Sequence, residues 1–299
     1  MPTISLCMIV KNEEMHIARC LDSVAKLVDE IVIVDTGSTD KTVEIVSNYT
    51  SNIYSHSWTD DFSDARNYSF SKASMDYCMW MDADDILEET QQDKFLQLKQ
   101  SLSSDTDMVM MKYHTAFDEA GTPSFSYFRE RWIRNCHDYR WLGAVHEVIP
   151  PSGKVIYSDI AISHKKLNAG NPDRNLKIYQ KLLADQKTLE PRQQYYYGRE
   201  LYYHKQYEEA ISVLEQFLLA PEGWVENKIA CSICANCYFG LGQEQSGLAT
   251  LLRSMSFDLP RAELCCEIGK YFLEQGNYHN AVYWYETALN RPKNEYSGG

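Results

Sequence analysis

The chain has 299 residues, of which 44% are hydrophobic and 24% charged, and its formal net charge is −13. That length accommodates two domains with cores of their own, and the composition is that of an ordinary soluble globular protein. The negative balance argues against nucleic acid or an anionic membrane as the main partner, and no apolar run approaches the roughly 20 residues of a membrane span.

Residues 3–10 (TISLCMIV) predict a buried strand, too short and too poor in flanking basic residues for a signal peptide. Asn12 stands where it would cap a helix over roughly 13–26, with Ile17, Leu21 and Val24 along one face. Residues 30–34 (EIVIV) predict a second strand, ending in the turn Asp35-Thr36-Gly37-Ser38-Thr39-Asp40 before a helix near 41–48. A third strand is expected at 52–56, then a helix near 63–74 and a strand over 77–81 that stops abruptly at Asp82-Ala83-Asp84-Asp85. Strands alternating with helices imply an α/β domain with a mostly parallel sheet, and such sheets bind ligands at the carboxyl ends of their strands. Asp35 and Asp82 both sit at those ends. Beyond Asp84, residues 107–113, 125–134, 144–149 and 154–163 predict strands with no long helix between them, an antiparallel extension suited to holding an acceptor.

From about residue 170 the pattern becomes all-α with an internal repeat. Gly198, Tyr207 and Ala210 recur at the same spacing as Gly269, Tyr278 and Ala281, with Ala235, Tyr238 and Gly247 as a degenerate copy, so the period is 37 and then 34 residues. Leu201, Tyr238 and Phe272 fall in register on one helix, and Leu214, Leu251 and Tyr285 on the next. A helix–turn–helix period near 34 resembles the tetratricopeptide repeat. The domains are therefore expected at 1–168 and 169–299. An array that stops directly after a repeat, as here, points to a native chain that continues.

The nine cysteines are an odd number and mostly isolated, as in a reducing cytoplasm with free thiols. Cys231, Cys234 and Cys237 are spaced for a metal cluster, but also for one packed stripe of a helix, and Cys231 and Cys265 share a repeat position.

The acids at the end of the 77–81 strand suit a hard divalent cation, and such a cation suits a diphosphate. Asp35 could accept a hydrogen bond from a nucleobase or ribose, or close its own Asx turn, although Asp40 is the better placed to cap the helix. Arg66 could contact a base, neutralise a diphosphate, or bridge to Asp61 or Asp64. Near the predicted strand at 144–149, Glu147 could serve as general base, with His146 as a competing base or an orienting group; a structural ion pair is the bland alternative. His164, at a strand end, could complete a metal site with Asp84. No Gly-rich dinucleotide fingerprint, phosphate-loop lysine motif or nucleophile elbow is present.

Taken together, SLCMIVKNEE at 5–14, VDTGSTD at 34–40, DFSDARN at 61–67 and MDADD at 81–85 resemble, in order and spacing, family 2 glycosyltransferases. The helical half resembles the tetratricopeptide region that often follows such a domain, a layout shared by enzymes that glycosylate bacterial peptides, including the S-glycosyltransferases of glycocin biosynthesis. The resemblance implies a GT-A fold, a nucleotide-sugar donor with UDP favoured, Mn2+ or Mg2+, and a direct displacement that inverts the anomeric centre. It implies a donor-binding set of Val10, Lys11, Asp35, Thr36, Arg66, Asp82, Ala83 and Asp84, with Asp84 on the metal. In many members a second acid stands where this chain has Thr36, and the usual Glu-Asp base motif is absent at His146-Glu147, so the resemblance does not carry the base role to that pair. The expected acceptor is a peptide or protein recruited by the repeats; rival readings are a surface polysaccharide or glycolipid transferase and a non-catalytic adaptor. The reading places the protein in the cytoplasm, without nucleic acid or a transmembrane segment, and allows a homodimer.

Overall fold

Continuous apolar runs become the centre of a mixed eight-stranded sheet. In the computed structural model, which describes residues 1–136, 138–166, 171–219, 227–257 and 259–291, the chain divides into two compact units, Met1–Pro172 and Asp173–Glu295. The expected boundary at 168/169 lies outside the described residues.

In the first unit, β1 (Ile4–Val10) lies between β2 (Glu30–Asp35) and β4 (Tyr77–Trp80), and β3 (Ile53–Ser55) flanks β2. All four run parallel. β1 is buried on both faces: Ile4, Leu6, Met8 and Val10 join one cluster with Ile17 and Leu21, whereas Cys7 packs with Val32 and Cys78 on the other. Two covered faces explain why this strand reads as a nearly continuous apolar run, broken only by the buried Ser5. The intervening helices are α1 (Ile17–Val24), α2 (Thr42–Val46) and α3 (Phe62–Phe70). Asp61 caps α3 by accepting the Asp64 backbone N–H at 3.1 Å.

The sheet continues through β5 (Asp85–Ile86), β6 (Met108–Phe117), β7 (Pro123–Arg134) and β8 (Val155–His164), giving the order β3-β2-β1-β4-β7-β6-β8-β5. β7 is antiparallel to β4 and β6, and β5 to β8, but β8 pairs parallel with β6, so the extension is mixed rather than antiparallel throughout.

Four local expectations change. Asn12 does not cap α1: it takes a left-handed φ of 57° and its Oδ1 accepts the Thr39 N–H, so the helix starts only at Ile17. The helix expected near 63–74 is α3, which ends at Phe70. Residues 144–149 form a loop with one isolated bridge, Leu142 to Val148, because Gly143 (φ 98°) and His146 (φ 53°) interrupt extended backbone. Between β5 and β6 lies an unanticipated helix, α4 (Glu89–Ser101), whose buried residues are only Phe95 and Lys99; so narrow an apolar stripe leaves little period to read.

The second unit is helical: α5 (Arg174–Ala184), α6 (Pro191–Tyr203), α7 (Tyr207–Leu218), α8 (Asn227–Gly240), α9 (Glu244–Arg253), α10 (Ala262–Glu274) and α11 (Tyr278–Leu289). The repeat positions act in packing. Gly198 on α6 faces Leu214 on α7, and Gly269 on α10 faces Tyr285 on α11. Ala210, Leu214, Ala235 and Leu251 are fully buried. Cys231, Cys234 and Cys237 are buried along α8, and burial pushes the Cys231 and Cys237 thiols up to about 12. These cysteines act as small apolar packing groups. Among the described residues, no helix is long and apolar enough to cross a membrane.

A Cβ at position 198 would lie 2.6 Å from Cδ2 and Cγ of the fully buried Leu214. Gly198→Val is therefore expected to destabilise the helical unit by about 1–3 kcal/mol through overpacking, read as a lower urea midpoint with unchanged slope.

Candidate functional site

Parallel pairing brings three strand ends to one edge. Val10 is in register with Asp35, and β4 delivers Asp82 beside them. Thr36 is buried and donates its backbone N–H and hydroxyl to the Val10 carbonyl, at 2.9 and 3.1 Å. A hydroxyl residue thus joins two strand ends. Asp35 accepts the N–H groups of Gly37 and Ser38, both at 3.1 Å, which closes its own turn. Asp40 accepts from the Thr42 N–H (2.9 Å) and hydroxyl (2.6 Å) at the start of α2. Lys11 is exposed and Ala83 buried.

Arg66 joins two segments far apart in sequence. Its Nε donates to Glu147 Oε1 at 2.6 Å and its Nη2 to Asp82 Oδ1 at 2.7 Å. The side chain is nearly buried, with its guanidinium 4.8 Å from the Trp80 ring centroid and 5.0 Å from that of Trp141. The bridge to Asp61 or Asp64 does not form: Asp61 caps α3, and Asp64 pairs with His56 and Thr59. Burial alone would raise the Asp82 carboxyl, but the Arg66 charge and hydrogen bond outweigh it and hold it at about 2.

The loop carrying Glu147 is tied to α3 and β7. Asn67 exchanges two hydrogen bonds with the Trp141 backbone (2.9 and 3.0 Å), the Phe62 N–H donates to the Ala144 carbonyl, and Arg129 donates to the Glu147 carbonyl. Glu147 is 12% exposed. His146 is half-buried in the same loop.

Asp84 and His164 meet through the pairing of β5 with β8. His164 Nδ1 lies 3.3 Å from Asp84 Oδ1 and 3.1 Å from Asp85 Oδ1. Among the described residues, Asp84, Asp85 and His164 are the group with ligand atoms close enough to hold a metal ion, all within 4.8 Å of one another. Carboxylate and imidazole donors fit Mn2+ and also allow Mg2+. Burial raises the Asp84 carboxyl above its ordinary value. For His164 burial acts downward, but the hydrogen bond to Asp85 and the charges of Asp84 and Asp85 prevail and raise it.

Two participants were missed in the sequence, Tyr113 and Arg131, while Asp85 was read only as one of the acids suited to a cation. Asp85 and Arg131 are fully buried and paired at 3.2 Å, and the Tyr113 hydroxyl donates to Asp85 at 2.8 Å. No local signal marked Arg131, which stands among Arg129, Glu130 and Arg134 in β7.

Residues 5–149 match the family model described as Glycosyl transferase family 2. A TPR repeat-containing protein of Synechococcus elongatus is 35% identical over 155 residues, covering 51% of this chain and 36% of that protein. The SPbeta prophage-derived glycosyltransferase SunS of Bacillus subtilis is 28% identical over 228 residues, covering 72% of this chain and 53% of its own length. The crystal structure of S. aureus TarS aligns with 15% identity and a TM-score of 0.41, over 95% of this chain and 55% of that one. The chain thus spans about half or less of the two curated relatives.

Arg66→Ala would leave Asp82 and the mostly buried Glu147 facing each other without their cation. It is expected to cost about 3–5 kcal/mol in chemical denaturation. The pairing also sets a pH dependence. A carboxyl depressed on folding contributes its stability fully above its unfolded value, near ~3.9, and loses it as pH falls through its folded value. Denaturation at a series of pH values should show a component lost between roughly pH 4 and pH 2, the component that Asp82→Asn lacks.

Proposed function

We propose, from the match of residues 5–149 to the glycosyl transferase family 2 model, that the protein is an inverting, metal-dependent glycosyltransferase that moves a sugar from a nucleotide-sugar, UDP-sugar favoured, to a peptide or protein acceptor. The observation that carries this reading is the distribution of charge at the strand ends. Asp82 and Glu147 share Arg66, Asp85 has Arg131, and among the described residues Asp84 has only His164 as an ion-pair partner. The carboxylate lacking an arginine lies beside an imidazole, which is a donor set for a divalent cation.

Asp84 and His164 would hold that cation, which supplies neutralising charge for the departing diphosphate when bound. Val10, Lys11, Asp35, Thr36 and Ala83 line the ends of β1, β2 and β4 and are assigned to the nucleoside and its diphosphate. Asp82, a carboxylate throughout neutral pH, is assigned to the sugar or ribose hydroxyls. Arg66 takes a different part from the one the resemblance implies: it orients Asp82 and Glu147 from beneath, with its flat face covered by two tryptophans. Its bond to Glu147 falls on Oε1. Oε2 is therefore assigned to the proton of the acceptor nucleophile, which attacks as the donor bond breaks. His146 is assigned to orienting that loop. The helical repeats, with small residues where helices approach and aromatics between them, are assigned to acceptor docking. A cytoplasmic location accords with nine free cysteines.

Asp84→Ala is expected to abolish release of nucleoside diphosphate from a UDP-sugar in the presence of Mn2+ while leaving the melting curve intact. Turnover retained at the wild-type rate would remove the cation role. Glu147→Gln is expected to slow transfer by about 10²-fold or more with donor affinity kept, measured by single-turnover kinetics and nucleotide binding in parallel.

A further inference from the structure

Asp85 clusters with the two residues assigned to the cation, yet it is fully buried and its oxygens are committed elsewhere. Oδ1 accepts the Tyr113 hydroxyl at 2.8 Å and lies 3.1 Å from His164 Nδ1. Oδ2 accepts the Asp82 backbone N–H at 3.1 Å and Arg131 Nη1 at 3.2 Å. A carboxylate offers about four lone-pair sites. Three defined donors and His164 Nδ1 crowd them, which leaves Asp85 poorly placed to take an ion.

The same donor count fixes the state of His164. The single hydroxyl hydrogen of Tyr113 goes to Asp85, so the Tyr113 oxygen, 2.9 Å from His164 Nδ1, can only accept from that nitrogen. The carboxylate oxygens of Asp84 and Asp85 beside Nδ1 are acceptors as well. Every polar neighbour of Nδ1 therefore calls for a hydrogen on it. In a neutral imidazole the lone pair then belongs to Nε2.

Arg131 completes the arrangement. It is fully buried, donates to the Trp80 carbonyl at 3.0 Å, and lies over the rings of Trp80 (3.8 Å) and Tyr113 (4.4 Å). Its Nε and Nη2 have no hydrogen-bond partner among the described residues. Its charge is thus balanced by Asp85 and by ring faces.

We propose that Asp85, Tyr113 and Arg131 are a buried positioning assembly: Asp85 does not touch the cation but, with Tyr113, holds His164 as the Nδ1–H tautomer, leaving Nε2 as its ligand atom. Metal-binding histidines are commonly set in this way by a carboxylate on the other ring nitrogen. The proposal rests on the assignment of Asp84 and His164 to the cation, and the test separates the two.

The test uses two readouts on the same protein. Ring 15N shifts report the neutral tautomer of His164 in the metal-free protein, its signal identified by loss in His164→Asn, and Mn2+ affinity is measured by electron paramagnetic resonance. Tyr113→Phe is the informative variant, because it removes one hydroxyl and keeps the packed ring, whereas Asp85→Asn leaves Arg131 without its countercharge and can fail to fold. The expected result is Nδ1–H in the wild type and, in Tyr113→Phe, a mixed tautomer with Mn2+ affinity weakened about tenfold in a protein that still melts cooperatively, at a midpoint lowered by the lost buried hydrogen bond. Wild-type tautomer and affinity in Tyr113→Phe would overturn the proposal. Nε2–H in a wild type that binds Mn2+ would overturn it alone, and Nδ1–H in a wild type that binds no Mn2+ would overturn the cation assignment and this proposal with it.

Discussion

A guanidinium taken out of water must be met by carboxylates or it costs the fold several kcal/mol. Arg66 is met twice, by Asp82 at the end of β4 and by Glu147 in the loop before β8. The two acids are 65 residues apart in the chain, and the guanidinium joins the segments that carry them. Trp80 and Trp141 cover the faces of the guanidinium and pack edge-to-face at 5.3 Å, so the ion pair is roofed by the aromatic groups that anchor the same strand and loop. Asn67, one residue after Arg66, adds a two-point hydrogen bond to the Trp141 backbone. Helix, strand end and loop are therefore tied by one short stretch of α3.

The remaining acids follow the same accounting. Four carboxylates (Asp82, Asp84, Asp85 and Glu147) gather around two buried arginines, Arg66 and Arg131. Like charges so near one another are tolerated only when countercharge is distributed among them. The distribution is uneven. Burial raises the carboxyl of Asp84, whose ion-pair partner among the described residues is His164, while Asp82 is held low by its arginine. Binding a divalent cation is one physical way to relieve that imbalance, and it would do so at the edge of the sheet where a diphosphate can approach. The overall charge of −13 makes such a local cation useful for an anionic donor.

Much of this was legible in the chain because buried parallel strands leave a strong trace. β1, β2 and β4 are mostly apolar runs, and the acids and turns at their ends are short-range features. The helical repeat was legible through the spacing of Gly198 and Gly269, residues whose small size is required by Leu214 and Tyr285. What escaped was either weakly periodic or distant. α4 buries so little that its pattern looks like a polar linker. The loop at 144–149 has the composition of a strand, and the positive φ values of Gly143 and His146 decide otherwise. Arg66 had acids within reach on its own helix, yet its partners lie 16 and 81 residues away. Asp85 read as one more acid for the cation, and its partners Tyr113, Arg131 and His164 lie 28, 46 and 79 residues away.

The central claim is that the ends of β1, β2 and β4, with Asp84 and His164, form a cation-assisted site for a nucleotide-sugar. Thermal-shift binding of UDP, GDP, CDP and dTDP, each with and without Mn2+, tests it most directly, because a ligand that binds only the folded state must raise its stability. The account predicts a Mn2+-dependent rise in melting temperature confined to one nucleotide, UDP. No shift with any of the four, with or without Mn2+, would contradict it.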